Sequence, residues 1–275
     1  MNANKLIDRR KALGLLAGGG AAALLAACTK SSDNPTVSAG NDSSSTGGSS
    51  ASSTSSSPSS TAASGARGAV GRIPEETAGP YPGDGTNGPN ALSQSGIVRT
   101  DIRGSVGSGS AKADGVPLTI ELTIVGAGTG KPVPGAAVYL WHCDRIGRYS
   151  MYASGLGSEN YLRGVQAADA NGVLRFTSIF PGAYDGRWPH IHFHVFDSQS
   201  QATNGRNARI TSQLALPEAI CDQVYTASGY ESSARNLDRT SLSSDMVFRD
   251  GVDLQLAKVT GSNSAGYTAK LFVGV

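Results

Sequence analysis

Leu118-Thr119-Ile120-Glu121-Leu122-Thr123-Ile124 alternates an apolar residue with a polar one at every step. A two-residue period places all four apolar side chains on one side of an extended chain, whereas a helix would scatter them around its axis. The stretch therefore reads as a β-strand with one face on a core. Working outward, Gly126–Gly130 is a turn, and Ala137-Val138-Tyr139-Leu140-Trp141 is a second strand. Asp169-Ala170-Asn171-Gly172 is a strong turn signal leading into the strand Val173–Ile179. Ile191, Phe193 and Val195 alternate with His190, His192 and His194, and Leu254–Val259 with Ala269–Val273 reads as a closing hairpin. Only Leu216–Tyr225 looks helical, with Ile220 and Val224 four residues apart. Many short strands joined by turns predict an all-β domain, a β-sandwich of mostly antiparallel strands, over residues 69–275.

The 275-residue chain divides by composition ahead of that domain. Residues 1–27 read as an export signal: a basic start (Lys5, Arg9, Arg10, Lys11), then an apolar run from Leu13 to Ala27 broken by Gly18–Gly20. The run is too short and glycine-rich for a stable membrane span. It ends in Leu25-Ala26-Ala27-Cys28, the pattern of a bacterial lipoprotein cleavage site, with Cys28 as the lipid-bearing residue. Arg9-Arg10 resembles a twin-arginine signal. Residues 28–68 are rich in Ser, Thr, Gly and Ala, have little to bury, and read as a disordered tether.

Removing residues 1–27 takes four of 23 basic residues and one of 21 acids (Asp8), leaving 19 against 20 and a net charge of −1. A near-neutral chain offers no electrostatic reason to bind nucleic acid. With Cys28 lipidated, Cys143 and Cys221 remain, and two cysteines in an exported chain are expected to pair as a disulfide.

The chemistry-bearing residues cluster. In a strand, His190 and His192 leave on one face while Ile191 and Phe193 point into the core, the geometry of a two-histidine metal site. Three of the four histidines lie within five residues, and His194 shares the same face, so spacing alone leaves open which two would bind. Upstream, the Pro181-Gly182 turn would deliver Tyr184 beside them. Taken alone, Tyr184 is better explained as a rim tyrosine packed on a turn.

Together these segments resemble the intradiol ring-cleavage dioxygenase family. Pro181-Gly182-Ala183-Tyr184, Gly186-Arg187 and His190-Ile191-His192-Phe193 look like its iron-binding segment. Gly130–Val138 through Trp141-His142-Cys143-Asp144 resembles the strands before the first ligand, and Gly147-Arg148-Tyr149-Ser150 the turn that holds it. Leu162–Gln166 with Asp169–Gly172 matches a linking strand and turn, and Glu76–Pro82 the opening segment. The resemblance spans roughly residues 73–275. It implies one Fe(III) per chain held by Tyr149, Tyr184, His190 and His192, with Tyr149 preferred over Tyr152 and His194 not a ligand. It also implies that Arg187 lies over the substrate and that Gln213 stands behind it.

The chemistry implied is cleavage of a catechol-type ring with O2 between the two hydroxyl-bearing carbons, giving a cis,cis-muconate-type product, with Tyr149, Arg187 and Gln213 as catalytic residues. Phenolate is a hard anionic donor suited to Fe(III). Zinc rarely uses tyrosine, and a ferrous facial triad needs a carboxylate. His142 is expected to be structural. Ala78 and Tyr81-Pro82 depart from the family pattern, which often has a glutamate and two consecutive aromatics there, so one pocket wall differs. The segment before residue 69 does not resemble the helical domain of the dimeric catechol dioxygenases; the likeness is to a short, exported branch. Self-association has no support in the sequence. The alternative reading is a surface lipoprotein that binds iron or a catechol without turnover, anchored to the membrane through Cys28.

Overall fold

The computed structural model describes residues 70–275; the export signal, Cys28 and the tether lie outside the described residues. Eight strands form two four-stranded sheets. The first sheet contains β1 (Pro117–Val125), β4 (Val173–Ile179), β7 (Lys258–Ser262) and β8 (Gly266–Gly274), in the order β4-β1-β8-β7. The second contains β2 (Ala137–Trp141), β3 (Arg163–Ala167), β5 (His190–Phe196) and β6 (Ile210–Ala215), in the order β3-β2-β5-β6. Every strand pair is antiparallel except β1 with β8, which run parallel.

The alternation read in β1 is what joins the sheets. Leu118, Ile120, Leu122 and Ile124 share one core with Val138 and Leu140 of β2, Ile191, Phe193 and Val195 of β5, and Leu214 of β6. Each such side chain removed from water is worth roughly 1.5–3 kcal/mol. The Asp169–Gly172 turn forms as its residues demand: Asp169 Oδ1 accepts from the Asn171 and Val173 amides at 2.8 and 2.9 Å. Gly172 has φ +76°, and a Cβ there would meet the Ile124 carbonyl oxygen at 2.3 Å.

The outer face of the second sheet is also buried. Ala137, Tyr139, Trp141, Val165 and Phe196 form a second cluster with Ala91, Leu92 and Ile97 of the irregular opening segment and with Tyr149. All seven residues of β5 are consequently buried, its histidines included. A strand covered on both faces by different partners is what allows three imidazoles to be held away from bulk water.

Three expectations need correction. Cys143 and Cys221 are free, buried thiols. They sit in different clusters, Cys143 with the outer-face group and Cys221 in the main core, and the Cys143 thiol donates to the Gly182 carbonyl. The closing hairpin starts later than predicted. Residues 252–256 fold into a turn, with the Gln255 and Leu256 amides both donating to Val252 O, and only Lys258 onward pairs with β8. The predicted helix is α1 (Glu218–Val224), but a second helix, α2 (Glu231–Leu237), is present where none was read. Its sequence, ESSARNL, carries no apolar stripe, because the residues it buries are Ser233 and Leu237. Ser233 is used for hydrogen bonding.

Candidate metal centre

Three pieces of chain deliver the site. β5 presents His190 and His192. The loop after β2 presents Tyr149 through an Asx turn, in which Asp144 Oδ1 accepts from the Ile146 and Arg148 amides at 3.1 and 2.9 Å. Gly147 adopts φ +89° there, and a Cβ would press on Tyr184 Cβ at 3.0 Å. The loop after β4 presents Tyr184 and is pinned by α2. Ser233 Oγ accepts from the Ala183 amide at 3.0 Å, and Asn236 Nδ2 donates to the Ala183 carbonyl at 2.9 Å. Gly182 is required, since a Cβ would meet Ser233 Oγ and Arg145 O at 2.5 Å each.

Four donor atoms converge. His190 Nε2 lies 3.0 Å from His192 Nε2, 3.2 Å from Tyr184 OH and 3.5 Å from Tyr149 OH. Tyr149 OH lies 3.2 Å from His192 Nε2. His190 Nδ1 faces the Trp188 carbonyl, so Nδ1 carries the proton and Nε2 a lone pair. The His192 ring stacks on Trp141, with centroids 4.9 Å apart and planes 5° from parallel, and its Nδ1 is buried without a partner.

Burial fixes the protonation states. It lowers His190 to about 3, with the Arg187 charge adding to the effect, and it lowers His192 well below the usual range, with His190 and Arg187 adding. Burial likewise raises Tyr184 to about 12 and Tyr149 well above the ordinary phenol value. Left to themselves, the four groups are two neutral imidazoles and two neutral phenols. They hold more lone pairs than protons to fill them, and a cation at their centre would answer that excess. A trivalent ion would displace the phenol protons outright.

Beside the donors stands Arg187. Its Nε donates to Asp245 Oδ2 at 2.8 Å and its Nη2 to Gln213 Oε1 at 2.7 Å, while Nη1 lies 3.5 Å from Tyr184 OH. Gln213 faces His192 across the β5–β6 ladder and is tethered by Nε2 to the Thr77 carbonyl at 2.9 Å. Asp245 is fully buried and also accepts from the amides of Trp188, Val247 and Phe248. Burial opposes its ionisation, but the Trp188 amide and the Arg187 guanidinium hold its carboxyl below the usual value. Sequence reasoning missed Asp245. The available signal was an aspartate just before the apolar pair Val247-Phe248.

The remaining candidates separate cleanly. His194 lies apart from the donor cluster, its Nε2 on Asp84 Oδ2 and its Nδ1 on Thr211 Oγ1, both at 2.9 Å. Tyr152 points away, its OH donating to Asn87 Oδ1 and accepting from the Gly83 amide. Asp185 is exposed and faces Arg239. His142 is buried and bonded to Cys143 O and Ser178 Oγ. Among the described residues no three His, Cys, Asp or Glu side chains gather as a metal site. The opening segment supplies a wall: the Tyr81 ring lies 5.2 Å from that of Tyr149, and a Cβ on Gly79 would touch the His192 ring. A cavity of about 200 Å³ opens beside Tyr149, between Tyr81, Arg148 and Tyr152.

The family model described as Dioxygenase matches residues 88–226. The chain belongs to the intradiol ring-cleavage dioxygenase family. That match contains Tyr149, Tyr184, Arg187, His190, His192 and Gln213, and leaves out the opening wall at 76–82 and Asp245. Catechol 1,2-dioxygenase 1 of Acinetobacter lwoffii is 30% identical over 153 residues, which cover 49% of this chain and 45% of that protein. The intradiol ring-cleavage dioxygenase of Tetranychus urticae superposes with a TM-score of 0.53 at 26% identity, covering 65% of this chain and 86% of that one. The crystal structure of a second dioxygenase superposes with a TM-score of 0.59 at 24% identity over 74% of this chain and 94% of its own, which speaks for the fold alone.

Proposed function

We propose that this domain is an Fe(III)-dependent intradiol dioxygenase that cleaves catechol-type rings with O2 between the two hydroxyl-bearing carbons, giving cis,cis-muconate-type products. The observation that carries this reading is the convergence of two phenol oxygens and two imidazole nitrogens, with His190 Nε2 3.0–3.5 Å from the other three and His192 Nε2 3.2 Å from Tyr149 OH. Tyr149, Tyr184, His190 and His192 would hold one ferric ion, their two phenolate charges leaving about one positive charge on it. When bound, the iron would supply the Lewis acidity that draws a catechol in as its dianion and makes the ring reactive toward O2.

The chain's own residues do the rest. Burial keeps both imidazoles neutral, so their Nε2 lone pairs stay available at any ordinary pH. The resemblance makes Tyr149 the catalytic tyrosine; Tyr184 oxygen, beside the Arg187 guanidinium, would also be placed, as the phenolate a bound ferric ion would make of it, to take a proton from an incoming catechol hydroxyl. Arg187 is held from two sides by Asp245 and Gln213, so its charge is fixed before substrate arrives and can stabilise negative charge developing on the ring. Tyr81 and Gly79 line the site beside Tyr149 and His192. Export and lipid attachment at Cys28 belong to the same proposal, and an intact-mass measurement of the membrane fraction tests them: an unmodified Cys28 would sink the anchor.

The deciding experiment is a visible spectrum of the iron-loaded protein, before and after anaerobic catechol. A broad tyrosinate-to-iron band that shifts to longer wavelength is expected, and admitting O2 should then yield muconate. Colour without muconate would leave a binder. A protein colourless after ferric loading would remove the iron assignment.

A further inference from the structure

Arg163 opens β3 opposite Trp141, and Trp141 in turn pairs with His192 in the next strand. Its side chain is fully buried, yet among the described residues it takes part in no ion pair. A buried cation without a counter-ion is costly unless each of its N–H groups finds an acceptor. Here they do. Nε donates to Ser150 Oγ at 3.0 Å; Nη1 donates to Pro82 O at 2.6 Å and to Tyr139 OH at 3.1 Å; Nη2 donates to Tyr81 O and Ser150 O, each at 2.9 Å.

The acceptors fall into two groups. Tyr81 and Pro82 belong to the opening wall, and Ser150 follows Tyr149 directly. Tyr139 reinforces the link, since its OH donates to Pro82 O at 2.8 Å. The packing leaves no slack: a Cβ on Gly83 would meet Arg163 Nη1 at 2.9 Å and Met151 Sδ at 3.0 Å. The two non-glycine residues with positive φ among the described residues are Met151 and Leu162, one after Ser150 and one before Arg163. Strained backbone at both ends of a contact persists only where the surroundings over-determine it.

We propose that Arg163 is a positioning residue whose guanidinium fork ties the Tyr81–Pro82 wall to the Tyr149–Ser150 turn. The Tyr149 phenol and the Tyr81 ring tilted against it are thereby held as one body. The proposal rests on the functional reading only in taking Tyr149 as a site residue. A lysine would keep the charge but lose the planar fork, and with it the simultaneous hold on two segments.

The test is hydrogen exchange on the purified full chain, comparing wild type with Arg163→Lys and with the milder Tyr139→Phe. Its reporters are the protected amides of Gly83, Gly85, Met151 and Ala153. In Arg163→Lys these should exchange about tenfold faster, and in Tyr139→Phe about threefold faster, while the β1 and β8 amides keep their rates. If wild type turns over catechol, Arg163→Lys should raise KM about tenfold and leave kcat within about threefold. Faster exchange spread equally over β1 and β8, or no local change in either folded variant, overturns the proposal. Should Arg163→Lys fail to fold, Tyr139→Phe decides. Should wild type show no turnover, the exchange result stands by itself, which separates this proposal from the functional one.

Discussion

β5 carries two faces that solve opposite problems. Ile191, Phe193 and Val195 meet another sheet whose apolar pattern mirrors their own, and regular alternation is enough to place them. His190, His192 and His194 are equally buried but are covered by irregular chain: the opening segment, the Tyr149 turn and the Tyr184 loop. An apolar face needs only volume. A polar face needs each hydrogen-bonding atom answered, so its cover must come from loops that can aim carbonyls and side chains individually.

Truncating the inner face should cost most. Phe193→Ala should lower unfolding free energy by about 3–5 kcal/mol in urea titration; a loss near 1 kcal/mol would mean that β5 is not core. The inner layer also holds a titratable polar group. His142 is held down to about 4 by burial, against 6.5 for an ordinary histidine. As pH falls, the unfolded chain takes up this proton first, so the stability is full above about pH 6.5 and drains away toward pH 4. A His142→Gln variant should remove a pH-dependent loss on the order of 3 kcal/mol over that window. An unchanged slope of melting temperature against pH would assign the acid sensitivity elsewhere.

On the outer face, Asp245→Asn keeps the shape but weakens the hold on Arg187. Catechol turnover should drop about 100-fold in kcat with the tyrosinate-to-iron band unmoved, because the donors are untouched; a shifted band would show that Asp245 shapes the metal centre itself. The smallest effect is expected at α2. Ser233→Ala removes the acceptor for the Ala183 amide and should cost about 1–2 kcal/mol in thermal or urea unfolding. No measurable loss would mean that α2 does not brace the Tyr184 loop.

The same contrast explains what the sequence disclosed. The period of β1, the turn at Asp169–Gly172 and the shared face of His190 and His192 are local patterns, and each appears in the fold where it was read. Tyr149 and Tyr184 were reached through resemblance, and the structure brings their oxygens to the two imidazoles. What stayed hidden depends on distant partners. Asp245 meets Arg187 across 58 positions, Asp84 meets His194 across 110, and Arg163 meets Pro82 across 81. α2 hid for a related reason, since its buried serine is useful only to distant chain, the Tyr184 loop and the Arg145 carbonyl before Tyr149. The expected disulfide failed because a count of cysteines says nothing of which layer each one enters.

The parallel pairing of β1 with β8 has a kinetic consequence. β8 lies between β1 and β7, so the first sheet is divided until residues 266–274 have been synthesised and threaded into register. The second sheet, with every donor of the metal centre, is encoded by residues 137–215. The contact that finishes the molecule pairs Leu118 with Tyr267 and its neighbours onward, and closing so long a loop is slow. A nascent domain would thus leave one edge of β1 unpaired until its last strand arrives, and the late insertion of β8, rather than assembly of the centre, would set the time at which the domain becomes resistant to proteolysis.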